Sequence, residues 1–312
     1  MAKKKQRVEV GERNLTLSNL QKTLYPDDDL VKAQVIEYYL NIAPTLLNHI
    51  KGRPLTLIRY PDGIDAEYFF QKDAPDWKPD WIDFVTLGES EKKDYMIADE
   101  PAALAWLANL ASLEIHQMHL RRPDFNQPDH MVFDLDPADD SNFEELIDLA
   151  FSLKNHVEEY GYHPFVKTSG RKGLHLFVPL APETDMDAVF KAAKEVAQAF
   201  VEDHPDITTL QIKKKARKGR VLIDIYRNRS HQTIVCPYSL RATHGAPVSM
   251  PLRWEELPEI ESSAAYYLQN VVEKVESDGD AWKGIGKYAV ALHTRRDESK
   301  AEVTVPQGTK HK

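Results

Sequence analysis

The stretch His130-Met131-Val132-Phe133-Asp134-Leu135-Asp136-Pro137 alternates bulky apolar residues with carboxylates and ends on a proline. On a β-strand successive side chains face opposite ways, so Met131, Phe133 and Leu135 share one face and Asp134 and Asp136 the other. At ~3.3 Å of rise per residue the two aspartates are about 6–7 Å apart at Cα. Carboxylates at that separation can reach one divalent ion, or bridge a pair of ions about 3.5–4 Å apart. Pro137 cannot donate to a ladder and ends the strand.

Two further stretches carry related signals. Val221-Leu222-Ile223-Asp224-Ile225-Tyr226-Arg227 sets one carboxylate opposite Ile223 and Ile225. An aspartate in so apolar a run is costly unless something charged sits against it. Thr168-Ser169-Gly170-Arg171-Lys172-Gly173-Leu174-His175-Leu176 is a cationic glycine turn leading into a strand, with His175 facing away from Leu174 and Leu176. Glycines let backbone N–H groups approach an anion, and Ser169, Arg171 and Lys172 suit phosphate oxygens. The spacing is not that of a Walker loop, and a strand rather than a helix follows. Each piece has a plainer reading: edge aspartates, a carboxylate neutralised by a nearby cation, an ordinary turn. Three carboxylates with a phosphate-type loop and a histidine are, together, the parts list of two-metal phosphoryl transfer.

The composition is compatible with that chemistry. The chain has 312 residues, 40 Lys plus Arg against 49 Asp plus Glu, a net charge of −9, 42% hydrophobic and 29% charged residues. Such a chain is globular with ample core, and its length suggests about two domains. The single cysteine, Cys236, excludes an internal disulfide and suits a reducing compartment. No apolar run approaches the ~18–20 residues of a membrane helix, and the basic start lacks the apolar segment of a secretory signal. A cytoplasmic protein with no membrane partner is expected. The acidic total argues mildly against coating nucleic acid by charge alone, although the distribution of charge matters more than its sum.

Helical spacing predicts helices over 31–50, with a kink or break near Pro44, and over 101–116, 143–159 and 185–202. Strand-type runs lie at 55–60, 131–135, 164–168, 174–178, 221–226 and 233–236. The order is not a clean βαβα alternation, so an α+β fold is expected. Residues 1–12 read as a basic tail, 13–125 as an N-terminal subdomain, 126–292 as the catalytic subdomain and 293–312 as a polar tail, within one compact unit.

These segments resemble the polymerase domain of DNA ligase D, a member of the archaeo-eukaryotic primase superfamily that works in non-homologous end joining. Besides the three stretches above, Lys22-Thr23-Leu24-Tyr25-Pro26, Gly52-Arg53-Pro54-Leu55-Thr56, Pro237-Tyr238-Ser239-Leu240-Arg241 and Gly245-Ala246-Pro247-Val248-Ser249 match in family order, over roughly residues 14–280. The resemblance implies a primase-polymerase fold with an RRM-like catalytic part and mixed or antiparallel sheets. It also implies a nucleotidyltransferase that extends primer 3′-ends at gaps and double-strand breaks with ribo- or deoxynucleotides. Asp134, Asp136 and Asp224 would hold two Mn²⁺ or Mg²⁺ ions. Ser169, Lys172, Gly173 and His175 would hold the triphosphate, with Arg241, His116 and Arg59 at further nucleotide positions. Lys22 and Lys32 would grip a 5′-phosphate, and Phe69 and Phe70 would stack on the template, although neighbouring strand residues face opposite ways. Ligase and phosphoesterase modules do not fit within 312 residues, so the resemblance implies a stand-alone polymerase meeting a separate ligase and a Ku-like end-binding protein at the nucleoid.

Lys213, Lys214, Lys215, Arg217, Lys218 and Arg220 put six cations in a stretch of eight, directly before the Asp224 strand. A charge run is ordinarily a solvated face. Beside the proposed catalytic strand it suits phosphate-backbone contact, and the resemblance implies a loop that engages the DNA end. Two rivals differ in kind. A haloacid-dehalogenase-type phosphatase also places Asp-x-Asp after a strand, but it has no use for the loop from Ser169 to His175. A DNA-end-binding scaffold would have kept the fold and lost catalysis, which an intact triad opposes.

Overall fold

The alternation around Asp134 produces the strand His130–Asp136 near the middle of a six-stranded sheet. The structure, a computed structural model, describes residues 5–88, 90–138 and 142–293. Across the sheet the order is Thr208–Thr209, Val221–Asp224, His130–Asp136, Leu174–Pro179, Phe165–Thr168 and Pro251–Leu252. Every neighbouring pair is antiparallel except the first, which is parallel. The helix Phe143–Glu158 separates the first strand of the motif from the second, and Met186–Asp203 separates the third from the fourth. The four inner strands thus form a βαββαβ unit with spatial order 4-1-3-2, the arrangement of an RRM. The α+β reading holds.

Local chemistry starts both helices. The Asn142 side chain accepts from the Glu144 N–H at 3.0 Å, and that of Asp185 from the Ala188 N–H at 2.8 Å. Their apolar sides cover Met131, Phe133, Leu135, Leu174, Leu176 and Ile223, all buried in the main core. The sheet's other face carries the polar residues. One apolar cluster joins residues from Leu15 to Val271, so the core runs across the expected boundary at 125/126, which falls inside the strand Asp124–Pro128.

A second, four-stranded antiparallel sheet has the order Ile234–Val235, Ser112–Gln117, Leu55–Arg59 and Phe69–Gln71. Here the structure corrects the expected helix over 101–116. The helix stops at Asn109, Ala111 takes a left-handed φ of 56°, and Ser112–Gln117 is a buried strand. The Ala/Leu run is a good helix former, but six residues beyond it are claimed by sheet pairing, and tertiary context overrides propensity. His116 is therefore a strand residue. The helix Lys32–Ile50 continues unbroken through Pro44. Lys5–Val10 is not a tail but pairs with Arg13–Ser18 as an antiparallel hairpin. The strand expected over 221–226 ends at Asp224 and passes into a 3₁₀ turn, Tyr226–Asn228. Residues 1–4 and 294–312, the remainder of the expected tails, lie outside the described residues. Among the described residues no helix is long and apolar enough to cross a membrane.

Candidate active site

Register brings the three aspartates to one face. Asp134 pairs directly with Asp224 on one side and with His175 on the other, and His175 pairs in turn with Lys167. Directly opposed residues share a sheet face, so Asp224, Asp134, His175 and Lys167 form a polar row across four strands, with Asp136 two residues along from Asp134. Above this row lies a cleft of about 660 Å³. Asp134, Asp136 and His175 line it with Ser169, Lys172 and Gly173 of the glycine turn, and His116, Arg241, Lys214 and Arg227 close its other sides.

Burial pushes the Asp134 carboxyl up to about 7; Arg227 opposes that rise, and Asp224 and Asp136 add to it. Removal from water is the main cause, and the neighbouring carboxylates act in the same direction. Two guanidinium groups answer it. Arg227 Nε lies 3.6 Å from Asp224 and 3.8 Å from Asp134, and Arg217 Nη1 donates to Asp136 Oδ2 at 2.8 Å. Among the described residues no group of three or more His, Cys, Asp or Glu side chains converges tightly enough to hold an ion as it stands. The donor set nevertheless fits a hard divalent cation: carboxylate oxygens on one face, one of them reluctant to ionise until more positive charge arrives. Arg227 and Arg217 would have to yield to the ion.

The turn is shaped by two glycines. A Cβ on Gly173 would meet the Leu135 carbonyl oxygen at 2.2 Å, and Gly170, at φ 69°, would meet Arg241 Cγ at 2.7 Å. Ser169 organises the turn from within. Its Oγ accepts from the Arg171 N–H at 3.2 Å and the Gly173 N–H at 3.0 Å. The Gly173 amide is thus already committed to Ser169. His175 Nδ1 lies 2.9 Å from Lys167 Nζ, and its Nε2 lies 3.4 Å from Asp134 Oδ1. Burial lowers the affinity of both His175 and Lys167 for a proton, each reinforced by neighbouring cations.

Glu114, which sequence reasoning did not single out, organises the cationic wall. Wholly buried, it receives Arg171 Nη2 at 2.6 Å and the Ala242 N–H at 3.1 Å, and its carboxylate lies 3.0 Å from His116 Nε2 and 3.3 Å from Arg241 Nε. Burial alone would raise its pKa, but His116, Arg241 and Arg171 together hold it well below the usual carboxylate range. Arg241 also donates to the Ser169 carbonyl at 2.7 Å, tying this wall to the glycine turn. Glu114 alternates with apolar neighbours in an ordinary strand pattern, so only its pairing across the fold marks it out.

The remaining expected residues divide. Lys22 and Lys32 are brought together, the Lys32 N–H donating to the Lys22 carbonyl at 2.9 Å; Lys22 ion-pairs with Asp62, and the Lys32 side chain is buried. The basic run splits. Lys214 reaches the cleft, Lys213, Lys215 and Lys218 are exposed, and Arg217 and Arg220 fold inward. Arg220 donates to the carbonyls of Arg217, Pro205 and Ala216. Arg59 does not line the cleft. It bonds the Leu110 carbonyl and Gln71 and lies over the Phe69 ring, 5.0 Å from its centroid, in a separate groove. Phe69 pairs with Arg59 and Phe70 with Ile58, so the two rings leave opposite faces of the strand, and both border that groove rather than the cleft.

Comparison with known proteins finds relatives over most of the chain. The pattern of the family described as "LigD, primase-polymerase domain" matches residues 31–282. The chain is 33% identical over 300 residues to the multifunctional non-homologous end joining protein LigD of Mycolicibacterium smegmatis, covering 93% of this chain and 39% of that protein. It is 29% identical over 266 residues to the bifunctional non-homologous end joining protein LigD of Bacillus subtilis, covering 85% of this chain and 43% of that protein. It thus spans about two fifths of the length of these curated relatives. Among solved structures, it resembles the polymerase domain from Mycobacterium tuberculosis Ligase D in complex with DNA. The TM-score is 0.83 and the identity 32%, covering 88% of this chain and 99% of that one.

Proposed function

The chain belongs to the LigD primase-polymerase domain family, and we propose that it is a metal-dependent nucleotidyltransferase extending primer 3′-ends at DNA gaps and double-strand breaks. The observation that carries this reading is the row of Asp224, Asp134 and His175, in register on one sheet face beneath a cationic cleft.

In this reading Asp134, Asp136 and Asp224 hold two divalent ions, Mn²⁺ or Mg²⁺. Bound there, the ions supply Lewis acidity toward the primer hydroxyl and the triphosphate. The chain's own residues do the rest. Lys172, Arg241 and Lys214 line the cleft with positive charge suited to triphosphate oxygens, and His175 and His116 line it too, their ring nitrogens engaged with Lys167, Asp134 and Glu114. The primer 3′-hydroxyl gives up its proton to solvent as its oxygen bonds to the α-phosphorus, the bond from that phosphorus to the bridging oxygen breaks, and pyrophosphate leaves. Ser169 and Gly173 act by holding the turn in shape. Lys22 and Lys32, adjacent across their hairpin, suit a 5′-phosphate beyond the break, and Lys213, Lys215 and Lys218 suit the DNA backbone. Both ribo- and deoxynucleotides are accepted. The in-cell partners are a Ku-like end-binding protein and a DNA ligase activity, acting at the nucleoid.

The test is incubation with a gapped, 5′-phosphorylated duplex, Mn²⁺ and labelled nucleoside triphosphate. Extension by the wild-type chain that vanishes in Asp134→Ala and Asp224→Ala supports the proposal. Binding without extension would leave a scaffold, and phosphate release from small esters would indicate a phosphatase.

A further inference from the structure

Lys167 belongs to the polar row of the sheet, yet the proposed reaction gives it nothing to do. On the strand Phe165–Thr168 it pairs directly with His175, it is wholly buried, and it does not reach the lining of the cleft. Lysine is almost never fully buried unless it is paired. Its Nζ donates to Ser249 Oγ and lies 2.9 Å from His175 Nδ1, with the centroid of the Phe177 ring 5.7 Å away. Ser249 is buried as well, and its hydroxyl donates to the Thr168 carbonyl at 2.8 Å, so toward Lys167 it can only accept. The serine thus anchors the amine beside the histidine.

A neutral imidazole has one N–H and one lone pair, and its neighbours decide which nitrogen carries which. At Nδ1 the neighbour is the Lys167 amine, a donor. At Nε2 it is Asp134 Oδ1, 3.4 Å away, and an ionised carboxylate can only accept. A proton on Nδ1 would face N–H against N–H at one end and lone pair against carboxylate at the other. A doubly protonated ring would keep the first of those clashes. Both ends therefore favour the same form, with the N–H on Nε2.

We infer that Lys167 is a positioning residue for nucleotide addition: it donates to His175 Nδ1 and so holds the ring with its N–H on Nε2, turned toward Asp134 and the cleft. Held this way, His175 enters the cleft as a hydrogen-bond donor, to Asp134 or to a triphosphate oxygen. It is then not the base that takes the proton of the primer hydroxyl, because its one lone pair is committed to Lys167. The consequence for nucleotide rests on the polymerase reading, whereas the position of the ring proton does not.

The ring proton is read directly from the nitrogen NMR spectrum of wild-type protein labelled in its histidines, without nucleotide. The His175 signals are identified by their loss in His175→Ala or, should that variant not fold, by through-space contacts to Lys167. Nδ1 should appear as an unprotonated acceptor and Nε2 as protonated; a proton on Nδ1 overturns the inference. Equilibrium titration with a labelled nucleoside triphosphate and Mn²⁺ supplies a second readout. Lys167→Met, close to lysine in length, should weaken binding by about 10- to 100-fold, as loss of a histidine-orienting partner does. In a His175→Ala background the same change should stay within about 2-fold, because the lysine acts through that ring. A merely structural defect would weaken both backgrounds alike, and that result also overturns the inference. Extension by the same wild-type preparation separates the two claims. Inactive protein with the proton on Nε2 sinks the polymerase reading alone, and active protein with the proton on Nδ1 sinks the role of Lys167 alone.

Discussion

Glu114→Ala offers a quantitative check on how the cleft is held. The substitution removes the acceptor of Arg171 at 2.6 Å and of the Ala242 N–H at 3.1 Å, and the counter-charge of Arg241 at 3.3 Å. Arg171 is 43% exposed on its side chain, and water takes over its share at a cost of about 0–1 kcal/mol. Arg241 is buried and cannot be rehydrated in place. Removing one partner of a buried pair costs about 3–5 kcal/mol. Urea titration at pH 7 should show that loss, with little change in slope. Glu114→Gln keeps one acceptor oxygen and should lose less, about 1–3 kcal/mol. The pH dependence has a definite sign. The folded carboxyl is held below its ordinary value of 4.5, so its stabilisation is fully present above that pH and lost as pH falls toward the folded pKa. The gap between wild type and Glu114→Ala should stay constant from about pH 8 to 5 and narrow below. A gap under about 1 kcal/mol, or one that closes between pH 8 and 6, would refute the reasoning.

Other outcomes follow from the same geometry. Asp129 grips the Arg53 guanidinium at 2.6 Å with each oxygen, and Arg53 is 1% exposed, so Asp129→Asn should cost about 3–5 kcal/mol in urea titration. Burial opposes ionisation of Asp129, but Arg53 and His130 hold it well below the usual range; that stabilisation should hold above about pH 4 and fade in acid. Gly173→Ala sets a methyl 2.2 Å from the Leu135 carbonyl oxygen, and should cost about 1–3 kcal/mol with weakened nucleotide binding by equilibrium titration. Cys236 is buried and its thiol is pushed up to about 12, so a maleimide at pH 8 should label it in urea and spare it in the native protein.

What could be read from the chain alone was what strand alternation encodes. Asp134 and Asp136 on one face and Met131, Phe133 and Leu135 on the other follow from period two, and the pairing register then brings Asp224 and His175 alongside. Contacts between distant segments were not legible in this way. Glu114 meets Arg171 and Arg241 from 57 and 127 residues away, as 171 − 114 and 241 − 114, and no local pattern encodes that meeting. Lys167 looks like one more cation of a basic turn, yet it is wholly buried against His175. The run from Lys213 to Arg220 looked uniform because composition cannot say which side chains turn inward; Arg217 and Arg220 do. The segment after Pro101 misled because Ala and Leu favour helix locally while the interior of the four-stranded sheet claimed the residues beyond Ala111 as a strand.

The most direct test of the central claim is the single-turnover rate of nucleotide addition to a gapped duplex at saturating Mn²⁺, for wild type and Asp224→Asn. If the aspartate row is the nucleotidyl-transfer centre, the wild-type rate is abolished by a chelator. Asp224→Asn then falls by about 10²–10⁴-fold, the worth of several kcal/mol of charge stabilisation, while still binding the duplex. Extension that persists in the chelator, or an Asp224→Asn variant as fast as wild type, would contradict it.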